Sequence, residues 1–138
     1  MKKLFYVVSL ILLLSNTALA IEADSAIVDV LAKTSSSWDG ETLPEYSEGA
    51  SEVTILRITI PQGAALPIHK HPVINAGVLL AGELTVVTEK NETLHLKAGD
   101  SIVEVVNKWH YGKNEGSEPA EIIVFYAGIQ DMPITIKQ

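Results

Sequence analysis

From Glu52 onward the chain alternates apolar and polar residues with a period of two. Thr54, Leu56, Ile58 and Ile60 share one parity, Val53, Ile55, Arg57 and Thr59 the other, and Pro61-Gln62-Gly63 stops the run. Successive side chains of an extended chain point to opposite faces, so this pattern predicts a strand with one face on a core. Val73 to Leu80 and Glu83 to Thr88 form two more strands about an Ala81-Gly82 turn. Glu89-Lys90-Asn91-Glu92 reads as a hairpin loop into Thr93 to Lys97. Ala98-Gly99-Asp100 turns the chain into Ser101 to Val106. Asn114 to Pro119 is a long turn into an apolar strand, Ala120 to Ala127. Short strands and turns at this spacing suit a small antiparallel sandwich or barrel, an all-β domain.

The first 50 residues follow different rules. Met1 to Ala20 begins with Lys2 and Lys3, runs apolar from Leu4 to Leu14 and ends Ala18-Leu19-Ala20, the pattern of a secretory signal peptide with a small-x-small cleavage site. Its apolar run of 11 residues is too short for a stable bilayer span, so no membrane anchor is expected after its removal. Residues 21–50 read as an irregular N-terminal arm, 51–130 as the barrel and 131–138 as a C-terminal tail. Within the arm, Ala26 to Lys33 is an apolar patch, either an edge strand or a turn or two of helix. It is expected to pack on the barrel or on a second subunit.

Removal of the first 20 residues leaves 118 that form one domain with one core. Of these, 32 are Ile, Val or Thr against 9 Leu, which reinforces the all-β reading. The charge becomes −9, from 8 Lys and Arg against 17 Asp and Glu, and no basic run stands out. That balance argues against nucleic-acid partners, whose phosphates require clustered Lys and Arg. The chain has no cysteine, so disulfides, cysteine zinc sites and thiol chemistry are excluded. An exported domain of this kind holds itself by burial, or by burial plus a metal.

The histidines are candidates for that metal. His69 and His71, two apart, project to one face of a strand, and Asn75 shares their parity if the strand continues past Pro72. His110 lies just beyond the Ser101 to Val106 run, where a neighbouring strand can bring it to the same ion. Imidazole suits Fe, Mn, Ni, Cu and Zn alike.

Two spaced motifs carry these residues. The first runs Gly63, five residues, His69-Lys70-His71, three residues, Asn75, six residues, Gly82. The second runs Gly99, five residues, Val105-Val106-Asn107, two residues, His110, three residues, Asn114. In frame and order these resemble the two motifs of the cupin family, over roughly Glu52 to Gly128. The resemblance implies a double-stranded β-helix, or jelly-roll barrel, and a divalent transition metal held by His69, His71 and His110. Iron is favoured among the metals, since some cupin dioxygenases use three histidines on Fe²⁺. It also implies a small-molecule ligand in the barrel and a homodimer.

Two departures stand out. Val105 and Asn107 replace a Pro and a Gly of the family, in a turn where Asn tolerates positive φ. Asn75 replaces a metal-binding Glu, which exchanges a charged ligand and base for a neutral amide oxygen. Asn75 is therefore expected as a weak ligand or a neighbour of the ligands.

The remaining residues read more plainly. His95 belongs to the polar face of its strand and points to solvent. Arg57, the only arginine in the chain, is expected to pair outside the barrel with an acidic neighbour rather than bind a substrate carboxylate. Tyr111 and Tyr126 read as core or rim aromatics with a hydroxyl available to the pocket, and Trp38 and Trp109 as packing residues. Asn114 is expected to brace its loop. Glu104 is a carboxylate among apolar residues that its strand neighbours do not place. The function this implies is an exported, metal-dependent protein, dioxygenase-like, acting on a small molecule in the barrel. The alternative is a non-catalytic binding module with a degenerate site.

Overall fold

A computed structural model describes residues 26–138; the signal-peptide reading of residues 1–20 lies outside them. Nine strands follow in order: β1 (Ser51–Ile60), β2 (His69–Lys70), β3 (Ile74–Ala81), β4 (Glu83–Thr88), β5 (Thr93–Lys97), β6 (Ser101–Val103), β7 (His110–Lys113), β8 (Ala120–Ile129) and β9 (Ile136–Lys137). Among the described residues there is no helix, so none is long and apolar enough to cross a membrane. The strands pair antiparallel in two sheets, one ordered β1-β8-β3-β6 and the other β5-β4-β7-β2-β9. This double-sheet jelly roll is the predicted fold.

Period-two patterning explains which faces meet. β1 pairs with β8 in unbroken register from Ser51–Ile129 to Ile60–Ala120, so the parity of one strand dictates that of the other. Leu56, Ile58 and Ile60 turn inward with Ile122, Val124 and Tyr126 of β8. Leu79, with no exposed surface, closes the core from β3. Arg57 faces out and pairs with Glu121 at 3.1 Å on the barrel's outer surface, the exterior pairing expected of it.

Turn chemistry sets the sheet edges. Gly82, at φ +73°, ends β3 where a Cβ would fall 2.5 Å from the Pro119 carbonyl oxygen, so no larger residue fits unchanged. Asn107, at φ +58°, adopts the left-handed conformation that a Gly would otherwise supply.

Three stretches differ from the expectations. β6 stops at Val103, three residues short of the predicted end, because the backbone turns through Asn107 toward His110. The sheet continues past residue 130: Ile136–Lys137 pairs with β2, and Met132 and Ile134 pack on the core. Residues 26–33 form neither the edge strand nor the helix expected, and within one chain their apolar side chains stay exposed. Ile27 is 91% exposed and Val28 82%, and Ser101 Oγ donates a 2.8 Å hydrogen bond to the Leu31 carbonyl. The arm docks further along, where Ser36 bridges Thr42 and Trp38 N donates to Val103 O at 2.9 Å beside β6.

A candidate metal centre in the barrel

His69 and His110 are cross-strand partners in the β2–β7 pair, which places their rings on the inner face with centroids 4.5 Å apart. His71 follows the end of β2, its ring centroid 4.9 Å from His69 and 5.1 Å from His110. One nitrogen from each ring lies within 4.8 Å of the others. His71 and His110 are buried and His69 is half-buried. The predicted triad assembles.

Asn75 reaches the same cavity by another route. The strand does not continue past Pro72: it breaks at Pro72-Val73, where the chain crosses from the five-stranded sheet to the four-stranded one. Asn75 therefore faces the triad from β3, paired with Tyr126 of β8, and its Nδ2 donates a long 3.5 Å bond to Val73 O. It is 3% exposed and lines the cavity.

The outer nitrogens of the three rings are all committed. Nδ1 of His69 donates to Pro67 O at 2.7 Å, that of His71 to Ile134 O at 2.8 Å, and that of His110 to Lys108 O at 2.9 Å. Thr135 Oγ1 stands 3.2 Å from the same His71 nitrogen. A carbonyl oxygen can only accept, so each Nδ1 carries the proton, and a neutral ring then has a bare lone pair at Nε2. Metal-binding histidines are held in this tautomer by such bonds. The donor set suits a divalent transition ion.

Burial favours the neutral form of His69 and His71. It pushes the His71 ring down to about 4, assisted by the neighbouring His110 and His69, and it lowers His69 as well. The unfolded chain thus binds protons between about pH 6.5 and 4 that the folded chain refuses. The His71 contribution to stability is complete above pH 6.5 and is lost as pH falls through that window. For metal-free protein the loss is on the order of 3 kcal/mol. Chemical unfolding at pH 7.5, 6, 5 and 4.5 in the presence of chelator measures it, and the acid loss should shrink in His71→Asn. An identical acid loss in that variant would contradict the assignment.

The cavity around the triad is small, about 60 Å³, with apolar walls from Ile60, Leu84, Ile102 and Val124. It adjoins a wider mouth of about 210 Å³, which shares His69, His71 and Tyr126 and is bordered by Thr135 and Lys137. The Tyr126 ring centroid lies 5.3 Å from that of His71. Burial, with the Glu104 carboxylate nearby, pushes its hydroxyl up to about 12, so it keeps its proton and serves as a donor.

Two residues gain a place here that their sequence positions did not reveal. Glu104 is buried in the cavity wall, with Oε2 3.8 Å from His110 Nε2. Trp38, read as a packing residue, also donates its Nε1–H to Glu104 Oε1 at 3.0 Å. The signal that could have found Glu104 is its place just before the motif's turn, one residue past the end of β6, which pairs with the β3 strand that carries Asn75. The other candidates stay out of the centre. His95 is exposed on β5, its Nδ1 3.0 Å from Thr85 Oγ1, and Tyr111 borders a separate surface pocket with Trp109. Asn114, 1% exposed, braces its loop: Nδ2 donates to Ile60 O and Glu118 O, and Oδ1 accepts from Gly116 N.

Comparison with known proteins agrees with this geometry. Among curated proteins none matches the chain. Solved structures with the same fold include the DMSP lyase DddQ of Ruegeria pomeroyi, with a TM-score of 0.55 and 20% identity over 72% of this chain. The chain spans about half of that protein, 47% of its length. An uncharacterized conserved protein with a double-stranded β-helix domain from Klebsiella pneumoniae has a TM-score of 0.52 and 22% identity, over 65% of this chain and 76% of its own. The polyketide cyclase RemF of Streptomyces resistomycificus has a TM-score of 0.53 and 16% identity, over 64% of this chain and 62% of its own. At these identities the likeness is one of fold. A family model for the cupin domain matches residues 56–126, more than half of the chain, and both motifs with all three histidines fall inside it. The chain belongs to the cupin family.

Proposed function

We propose that this protein is an exported cupin whose three histidines hold a divalent transition metal, iron first among the candidates, and that it acts as a dioxygenase-like oxidoreductase on a small molecule in the barrel. The observation that carries the reading is the locking of all three Nδ1–H groups onto carbonyl oxygens, which leaves three Nε2 lone pairs for one ion. Packing alone does not require that arrangement. The lowered pKa of His69 and His71 supports it further, since a protonated imidazole cannot ligate.

A bound Fe²⁺ would supply open positions for O₂ and a chelating substrate, whereas a redox-inactive ion would polarise a carbonyl as a Lewis acid. The chain's own residues set what can bind there. Leu66, Ile58 and Tyr126 border both cavity and mouth and screen the triad from water, while the Tyr126 hydroxyl offers a hydrogen bond to an oxygen of the ligand. The narrow inner space supports a compact ligand with only a few atoms beyond the mouth. The same reading has the mature chain working outside the cytoplasm as a homodimer and binding no nucleic acid, in keeping with a sequence charge of −7 at full length.

Metal analysis of the purified mature protein, followed by O₂ uptake with a panel of diols, diketones and thiols, tests the reading. It predicts one transition metal per chain and O₂ consumption with at least one class, lost in His110→Ala. The amide at position 75 favours a second reading, a metal-carrying binding module without catalysis. Full metal occupancy with no O₂ uptake or other turnover would select that one.

A further inference from the structure

One buried carboxyl group faces the histidine cluster directly. Glu104 lines the cavity beside three histidines whose outer protons are fixed on carbonyls, and among the described residues the one basic side chain within 4.0 Å of it is His110. Its two oxygens are treated differently. Oε1 accepts from Trp38 Nε1 at 3.0 Å and from the Val105 backbone N–H at 3.0 Å. Oε2 faces His110 Nε2 at 3.8 Å. That spacing to His110 is inside the roughly 4.2 Å that separates two opposite ligands of one ion with bonds of about 2.1 Å. The group with all ligand atoms within 4.8 Å of one another is the three histidines, so Oε2 has to swing toward His69 and His71 to join them. A carboxyl oxygen aimed at a ring nitrogen across the same cavity is placed to share a cation with it. The ion that the triad is built to hold would be that cation.

The backbone holds Glu104 against Asn75. Glu104 N donates to Asn75 O at 3.0 Å, so the two residues are neighbours across adjacent chain segments, both on the cavity wall. Residue 75 is the motif's carboxylate position and holds an amide. The carboxylate stands beside it.

We propose that Glu104 completes a three-histidine, one-carboxylate metal set, with Oε2 supplying from the neighbouring segment the negative charge that Asn75 lacks. Trp38, in the N-terminal arm, is its positioning residue. The arm is clamped there by further contacts: Trp38 N to Val103 O, and Lys108 paired with both Asp39 and Glu41. The inference rests on the proposed metal centre and deepens it. A carboxylate lowers the charge of the bound ion's environment by one and favours hard ions, so the set should take Mn²⁺ and Fe²⁺ more readily than three imidazoles alone.

Direct titration of the full mature protein with Mn²⁺ and with Zn²⁺, followed by electron paramagnetic resonance and calorimetry, tests this. Glu104→Gln keeps an acceptor for Trp38 and Val105 and removes only the charge. It should weaken Mn²⁺ binding about 10–100-fold and Zn²⁺ binding less. Glu104→Gln combined with Asn75→Glu should recover most of the Mn²⁺ affinity. Trp38→Phe removes the indole donor together with part of the ring's packing volume and should lower Mn²⁺ affinity by a smaller factor, with circular dichroism as the check on folding. Equal Mn²⁺ affinity in wild type and Glu104→Gln overturns the role of Glu104 and leaves the histidine centre standing. A wild-type protein that binds neither ion saturably overturns both.

Discussion

His69→Ala is expected to lower transition-metal affinity by about 10²–10³-fold while the barrel stays folded. A structural zinc site with four ligands binds with roughly 10–16 kcal/mol, or about 3–4 kcal/mol per ligand, which converts to that factor. His69 is the best place to make the cut. It is half-buried, and its Nδ1–H bond runs to a carbonyl only two residues away, so its loss frees little of the structure. His71 is a poorer choice because its Nδ1–H ties the barrel to Ile134, 63 positions on. Competition titration against a chromophoric chelator, with circular dichroism as the check on folding, reads the effect. Unchanged affinity would mean that metal binds elsewhere.

Asn114→Ala should be the most destabilising single change near the second motif, by about 3–4 kcal/mol. Asn114 is fully enclosed and makes three side-chain hydrogen bonds, two to the carbonyls of Ile60 and Glu118 and one from the Gly116 N–H. Alanine removes the partner of all three, leaves the buried Ile60 carbonyl bond unmade and the two part-buried ones open to water, and adds a void. Each buried unsatisfied group costs roughly 1–3 kcal/mol before relaxation. The transition temperature of the metal-free protein should fall by roughly 10–15 °C. A fall of under 2 °C would show that water replaces the amide without loss. The backbone links of the same corner, Gly63 N to Asn114 O and Asn114 N to Ala64 O, remain in the variant, so the loss belongs to the side chain.

Local patterning was enough to read most of this barrel. Parity along Glu52 to Ile60 assigns Leu56, Ile58 and Ile60 to the core, and the ten-residue register with β8 preserves that assignment. The outward Arg57 and His95 followed from the same rule. The three histidines were legible because motif spacing survives where individual turn residues change, and Asn107 takes the conformation of the glycine it replaces.

What escaped the reading depends on contacts far apart in sequence. Parity assumes an unbroken strand, yet between His71 and Asn75 the chain changes sheets, so Asn75 meets the triad from the opposite wall. β9 has only two residues and no periodicity of its own; its strand character comes from pairing with His69 and Lys70. Glu104 acquires its surroundings from Trp38, 66 positions earlier. Residues 26–33 are apolar enough to suggest packing, but within one chain they meet the barrel through a bond from Ser101 Oγ to the Leu31 carbonyl, while Trp38 takes the edge at Val103. Apolar composition signals a need for burial without naming the site that meets it.

The central claim is that His69, His71 and His110 share one ion. X-ray absorption at the metal edge of the purified protein, reconstituted with Fe²⁺ under argon, tests it most directly. The account predicts one iron per chain with multiple-scattering features of three imidazoles and nitrogen or oxygen neighbours at about 2.0–2.2 Å. A spectrum with no imidazole scattering, or one unchanged when all three histidines are alanine, would contradict it.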